Sequence, residues 1–436
     1  MRHPRARWAI RHGAPRVLLR VMTWLRRPAG RVLFERADPE RVYDLHAGIR
    51  SGGPLVGDAV ALVTARHDTV SELLRDPGYE AGARSSKVAT WAMRAGRAPD
   101  ALGPLDPPSL LVVDPPDHTR YRRLVSRVFT PRAVAALAPD VERIAAGLLD
   151  RFEKDAEDGV VDLVPSYAKR LPVAVIAHLM GIPERMLDQF LSWSDSAAPA
   201  LDLGLTYREY AVADRALQET NRWLREHFRT LRASDGDDLL SRLVRIVDDE
   251  EGDGGGLTEE ELLATAQLLL AAGFVTIVDM LSSGAVLLLR HPDQLAGLRA
   301  DPAGWPAAVE EILRYESPVQ VTARFSAARA TLGGRRLSRG QAVVALLGGA
   351  NRDPEVFADP DRFDVRRANA RDHLAFSRGL HHCVGSGLAR LEGEVGFRLL
   401  FERFPEMALH GTPVRRPGAV LRGWSSVPVR TGAARS

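Results

Sequence analysis

Cysteine is almost absent: Cys383 is the single one in 436 residues. That count excludes an internal disulfide framework and a four-cysteine zinc site, so stability has to come from packing. Aromatic residues are few too, at 6%, while 45% hydrophobic and 26% charged residues fit a soluble globular chain long enough to bury a large core. Acidic residues are missing from residues 1–34, which hold nine arginines (Arg2, Arg5, Arg7, Arg11, Arg16, Arg20, Arg26, Arg27 and Arg31). Without that arm the chain carries 50 basic and 56 acidic residues, so the basic pI belongs to the arm and a nucleic-acid partner is not expected. A spanning apolar run is also missing there. In RVLLRVMTWLRR nine residues separate Arg16 from Arg26 and Arg20 interrupts them, too short for a bilayer crossing or a usual secretory core. The arm is therefore either an interfacial or partner-docking helix, with weak membrane contact at most, or, more simply, an extra helix packed on the body with a solvated basic face. A cytoplasmic location follows as an expectation.

What is present is helical periodicity. The stretch DDEEGDGGG at residues 248–256 reads as a solvated loop. After it Thr258 and Glu261 form a capping-box signature, followed by an apolar run to Pro292. Residues 259–290 amount to roughly 48 Å of helix at 1.5 Å per residue, apolar on most faces and so destined for the protein's middle. HTRYRRLVSRVF, AALAPDVERIAAGLLDRFEKD, PVAVIAHLMGI, REYAVADRALQETNRWLREHFRTL and PAAVEEILRYE repeat apolar residues at three and four. Strand candidates are short: AVALVTA, VTARFS, ATLGGRRLSRGQAVVALLGG and SSVPVR. The expected fold is mainly α with small β-sheets at the flanks (α+β).

Around Cys383, Gly379, Gly385 and Gly387 allow close backbone approach to something bulky. The helical spacing of VGSGLARLEGEVGFRLLFERF puts the sulfur at a loop-to-helix junction, where amide N–H groups favour a thiolate. Alone, a cysteine before a helix is more often a small buried hydrophobe than a ligand. The wider stretch FSRGLHHCVGSGLAR, Phe376 to Arg390, resembles the haem-binding loop of the cytochrome P-450 superfamily, F-G-x-G-x-H-x-C-x-G-x-x-L-A-R. Every fixed position matches except Ser377, where the pattern has glycine.

The resemblance implies the P-450 fold, with haem b (iron protoporphyrin IX) between the long central helix and the cysteine-loop helix, and Cys383 as its axial thiolate. With the Arg-rich arm set at 1–36, it implies one haem-thiolate monooxygenase domain at 37–436. Glu311 and Arg314 of EEILR with Arg362 of DPDRFD correspond to a buried structural triad. His118 and Arg122, four apart in DPPDHTRYRRLV, lie on one helical face suited to a haem propionate. Arg324 and His381 are implied as further propionate partners, and Phe376 and Gly385 as loop residues against the macrocycle. On the central helix the pattern A-G-x-acid-T appears as Ala272, Gly273, Phe274, Val275, Thr276. Ala272 and Gly273 are expected to leave room at the haem, and Thr276 to hydrogen-bond O2 or hold a water.

Valine cannot relay a proton, so Val275 departs from the pattern. Asp279 is either a substitute acid or a helix–helix hydrogen-bond partner. Ordered water, a polar group of the substrate, or direct use of peroxide can each replace the relay. If proton delivery limits the reaction, Val275→Glu raises the share of electrons ending in product. The resemblance further implies electrons from NAD(P)H through ferredoxin and ferredoxin reductase, since 53 residues after Cys383 cannot hold a fused reductase. Arg123, Arg127 and Arg378 are candidates for meeting an acidic ferredoxin. Phe274, Val275, Val319 and Trp424, with Val321, make an apolar pocket for a hydrophobic small molecule, expected to be a secondary metabolite. Hydroxylation is the default, with ring formation or coupling open. The alternatives are a peroxide-driven peroxygenase and a non-catalytic haem sensor.

Overall fold

The computed structural model describes residues 3–34, 41–127, 129–233, 235–236, 238–248 and 257–432. The expected arm boundary at residues 36–37, residues 249–256 of the acidic-glycine loop and residues 433–436 lie outside them. Helical turns Pro4–Trp8 and Ala9–Gly13 lead into α1 (Ala14–Trp24), which folds back onto α2 (Pro28–Phe34). Gly30 permits that contact, since a Cβ there would strike the backbone of Met22 and Thr23.

The body is built from α3 (His67–Arg75), α4 (Lys87–Gly96), α5 (Asp117–Ser126), α6 (Arg170–Leu179), α7 (Leu187–Ala197), α8 (Tyr207–Arg232), α9 (Glu259–Arg290), α10 (Trp305–Tyr315) and α11 (Ser386–Arg403). Helix α9 begins where its capping box predicts. Thr258 N–H donates to Glu261 at 2.8 Å and Glu261 N–H to the Thr258 hydroxyl at 3.3 Å. By length and composition α9 could cross a membrane, but 78% of its most apolar stretch is buried within the protein. Its Leu, Val, Ile and Phe side chains join the largest core cluster, each worth about 1.5–3 kcal/mol when fully buried.

The main sheet has five strands in the order β1 (Val56–Gly57), β2 (Ala61–Thr64), β5 (Ala342–Leu346), β4 (Val321–Ser326), β3 (Tyr79–Glu80). Strands β2 and β5 are parallel, with Ala61 opposite Ala342, and the remaining pairs are antiparallel. Three smaller sheets flank the body, one pairing Val160–Asp162, Pro428–Arg430 and Ala408–Leu409. Most strands outside the expected set are two or three residues long, too short for a period-two pattern to emerge. The expected strand through LLGG stops at Leu346, and Leu347–Ala350 turn into helix, with Gly348 and Gly349 pressed on Gln320 and His46.

Candidate functional site

The cysteine loop is held by its own backbone and by α3. Cys383 N–H donates to the Phe376 carbonyl at 2.9 Å, and Gly379–His381 form a tight helical turn before it. Gly379 adopts φ +68°, and a Cβ there would collide with the Leu74 carbonyl at the end of α3. Ser377 adopts φ +60°, the left-handed region that a glycine occupies freely. Phe376 packs under the Arg390 guanidinium, 4.6 Å from the ring centre. Arg390 in turn pairs with Glu310 at 2.7 Å, and Glu310 with His373 at 3.0 Å. Burial would raise the Glu310 carboxyl, but the His373 and Arg390 hydrogen bonds overcome it and hold it at about 2.

Cys383 retains accessible surface at the end of the loop. Burial pushes the thiol up, against the Gly385 N–H and the charges of Arg122 and Arg390. Desolvation thus outweighs the amide environment expected to favour a thiolate. A Cβ on Gly385 would meet nothing within 4 Å, so glycine there keeps open a space that no protein atom fills.

The four basic residues expected at the propionates converge. The rings of His118 and His381 lie 4.3 Å apart, and Arg122 donates to the His382 carbonyl. Arg324, buried on β4, bonds only to the Thr322 hydroxyl at 3.1 Å and the Ala323 carbonyl at 2.9 Å among the described residues. Burial lowers it to about 10, with Asp114 opposing. His118 is buried with Nε2 unpartnered, and burial, then the charges of His381 and Arg122, lower it to about 4. Asp114, which the sequence did not single out, is the acid nearest this cluster. It accepts from the Ala81 and Gly82 N–H groups at 2.8 and 2.9 Å and lies 3.8 Å from His381. One carboxylate among four basic side chains, with an orphaned buried donor and a thiol beside them, fits an anionic ligand that carries a thiolate-binding metal. Haem b meets that description: the cluster would take the propionates and Cys383 the iron.

Helices α11 and α9 run side by side in one direction. Gly393 meets Met280, Gly396 meets Leu281, and Gly284 meets Phe397. At that offset Ser386, the first residue of α11, falls level with Ala272 and Gly273 of α9. At about 100° per residue, Leu268, Ala272 and Thr276 share a face, and all three are only partly buried. The Thr276 hydroxyl donates to the Ala272 carbonyl at 2.7 Å, which leaves its oxygen able to accept. Gly273 points towards Ile176 of α6, 3.8 Å from where its Cβ would stand.

Phe274 and Val275, expected at the pocket, are instead buried in the core at 2% and 1% exposure, Phe274 on the helix side opposite Ala272. Trp424 is buried too, stacked against the Arg415 guanidinium at 3.6 Å. Val321 also lies in the core. Val319 alone of the expected pocket residues keeps open surface, bridging to Leu421. Asp279 forms a buried ion pair with Arg416 of the C-terminal loop. It is a tether between elements, and Thr276 is left with no acid from its own helix face.

The expected triad is also corrected. Arg314 and Glu311 form a fully buried bidentate pair at 2.7 and 2.8 Å, but the third member is Arg367, 3.3 Å from Glu311. The Arg362 side chain is 70% exposed and faces Asp364 at 3.8 Å; its carbonyl accepts from Arg314 and Arg367. Arg378 is held by Ser71 at 3.1 Å and the Asp372 carbonyl at 3.0 Å, whereas Arg123 and Arg127 of the loop face are exposed. An open depression beside the cysteine loop, lined by Asp68, Glu72, Arg75, Asp76 and Arg378, is polar and contains neither Cys383 nor Thr276.

The cytochrome P-450 family model matches residues 305–417. A Mycobacterium tuberculosis protein provisionally named cytochrome P-450 140 is 44% identical over 402 residues, covering 92% of this chain and 90% of its own length. The 6-deoxyerythronolide B hydroxylase of Saccharopolyspora erythraea is 43% identical over 320 residues, covering 73% of this chain and 76% of its own. Among solved structures, a cytochrome P-450 enzyme for C–S bond formation in chuangxinmycin biosynthesis matches with a TM-score of 0.80 at 34% identity, covering 90% of this chain and 95% of that one.

Proposed function

Because the chain belongs to the cytochrome P-450 family and is a monooxygenase, we propose that it hydroxylates a hydrophobic secondary metabolite in the cytoplasm, using electrons from NAD(P)H delivered by ferredoxin reductase and ferredoxin. One atom of O2 enters a C–H bond of the substrate; the other leaves as water after two electrons and two protons are supplied. The bound haem supplies the O2 chemistry, its cysteine thiolate donating electron density that favours O–O cleavage. The observation that carries the reading is the convergence of His118, Arg122, Arg324 and His381 beside Cys383, with Asp114 as the nearest acid. The relative that hydroxylates 6-deoxyerythronolide B supports a substrate of comparable bulk.

The chain's own residues have separable tasks. Cys383 would ligate the iron and the four basic groups would clamp the propionates; Phe376, Gly385 and Ala272 are our candidates for shaping the space around the macrocycle, while Gly273 faces Ile176. Thr276 accepts a hydrogen bond from a water and orders it for proton delivery, since its own proton is committed to Ala272. Val319 is our candidate for touching substrate. Arg123 and Arg127 are our candidates for meeting the ferredoxin.

The first test is the reduced carbon-monoxide difference spectrum, which should show the thiolate-ligated band in the wild type and lose it in Cys383→Ser. Wild-type protein that takes up no haem overturns the reading. Val275 and the tethering of Asp279 favour one second reading, peroxide-driven oxygenation without a proton relay. Product formed with hydrogen peroxide alone, and not increased by ferredoxin, reductase and NADPH, selects it.

A further inference from the structure

The arm has two apolar faces, and the chain uses one of them. On the inner face Leu19 and Met22 are buried; Met22 joins Ala29, Val32, Val63 and Val344 in a core against the main sheet. On the outer face Val17, Leu18, Val21, Trp24 and Leu25 are all exposed, Trp24 to 81% and Val17 to 62%. At 3.6 residues per turn these five fall within an arc of about 120°. They are five of the thirteen exposed large hydrophobic residues in the described chain, packed into nine positions, so scatter does not account for them.

Exposed Arg20 and Arg26 border this stripe, exposed Arg27 beyond them pairs with Asp58 at 3.0 Å, and no acid occurs in residues 1–34. We propose that the outer face of the arm is a seat for an anionic lipid bilayer, in which α1 lies in the interfacial plane. A Val, Leu and Trp stripe edged by arginine is what that plane accepts: apolar side chains below the headgroups, Trp at their level and guanidinium groups on the phosphates. The remaining chain carries 50 basic against 56 acidic residues, so an anionic surface attracts the arm and repels the body, which fixes one orientation.

The inner face says what that orientation brings to the lipid. Arg7 pairs with Asp214 of α8 at 3.1 Å, and the Trp8 indole donates to the Leu205 carbonyl at 2.9 Å. Arg11 pairs with Asp106 at 2.8 Å and runs across Gly96 of α4, where a Cβ would collide with it. The arm thus ties the α7–α8 loop to the segment between α4 and α5. Whatever surface the arm rests on therefore lies close to both segments; that a substrate is involved at all rests on the function proposed above. Exposed Val88, Trp91 and Leu203 on α4 and the α7–α8 loop add apolar surface to the tied segments.

The test is sedimentation of the full-length haem protein with phosphatidylcholine vesicles and with vesicles containing phosphatidylglycerol. The wild type should pellet with the anionic vesicles and stay in the supernatant with the neutral ones. Val21→Asp with Trp24→Asp should weaken the anionic binding at least about tenfold, and Arg20→Glu with Arg26→Glu should weaken it too. Both pairs are exposed, so unfolding midpoints and carbon-monoxide spectra should match the wild type. Wild-type protein that ignores anionic vesicles overturns the proposal, as does undiminished binding by the Asp variant. A wild-type dimer that the Asp variant splits, with no vesicle binding, assigns the stripe to a second copy and equally overturns it. Vesicle binding without a thiolate spectrum rejects the enzymatic reading and leaves the seat standing.

Discussion

Ser377 stands where the family pattern has glycine, and its backbone shows the cost. A left-handed conformation at a residue bearing a Cβ costs about 1–2 kcal/mol, and its hydroxyl is buried without a partner. Ser377→Gly removes both penalties and returns some of the gain, about 0.5–1 kcal/mol, through the freer unfolded chain. The expected net is a stabilisation of about 1 kcal/mol in urea unfolding. Ser377→Ala, which keeps the strain and loses only the hydroxyl, should gain less. Equal gains, or a loss with glycine, would show that strain at this residue is not what limits the loop. The loop motif was legible because its residues are close in sequence and chemically unusual. The pocket was not: Phe274, Val275 and Trp424 are apolar wherever they point, and apolarity alone does not distinguish a cavity wall from a core. Val275 also changes the meaning of Val275→Glu, which would bury an unpaired acid and destabilise the protein before it could deliver protons.

At the scale of elements, contacts set by a helical period were readable and contacts made by irregular chain were not. Three-residue spacing put Glu311 and Arg314 on one face of α10, and the structure closes that pair. Their third partner comes from irregular chain between residues 362 and 367, where no period tells one arginine from another, and Arg367 holds the place expected of Arg362. Arg367→Ala therefore removes one cation from a buried network and should cost about 3 kcal/mol or more in unfolding free energy. Arg362→Ala should stay within about 0.5 kcal/mol, because its contribution is a backbone carbonyl that alanine retains. Similar costs for the two variants would return Arg362 to the triad. Helix α9 was legible from cap to C-terminus for the same reason: Thr258, Glu261 and 32 residues of apolar periodicity are local signals, whereas the two- and three-residue strands exist only through partners far along the chain.

For the molecule as a whole, the charge that matters to stability is the charge it hides. Glu392, inside α11, is buried with one carboxyl oxygen unpartnered, and burial pushes its pKa up to about 8 from 4.5. The unfolded chain releases that proton near 4.5 while the folded chain keeps it to about 8, so between these values the folded state binds more protons. Stability then falls as pH rises: the contribution is complete below 4.5, declines through the window and is gone above 8. Asp279, raised by burial to about 7 against the pull of Arg416, acts in the same direction over a narrower window. Glu310, held at about 2, acts oppositely and only in acid, losing its contribution as pH falls from 4.5 through 2. The sequence shows these residues as ordinary helix acids; only three-dimensional burial separates them from the solvated majority. Glu392→Gln keeps the shape and cannot ionise. Its unfolding free energy minus that of the wild type should climb between pH 5 and 8 by up to about 1.4 kcal/mol per unit, leaving the variant the more stable protein at pH 8. Denaturant titrations at matched ionic strength give that difference directly. Parallel curves across the window would mean that Glu392 ionises in the folded state as it does in the unfolded one, with water or a cation reaching it inside the helix packing.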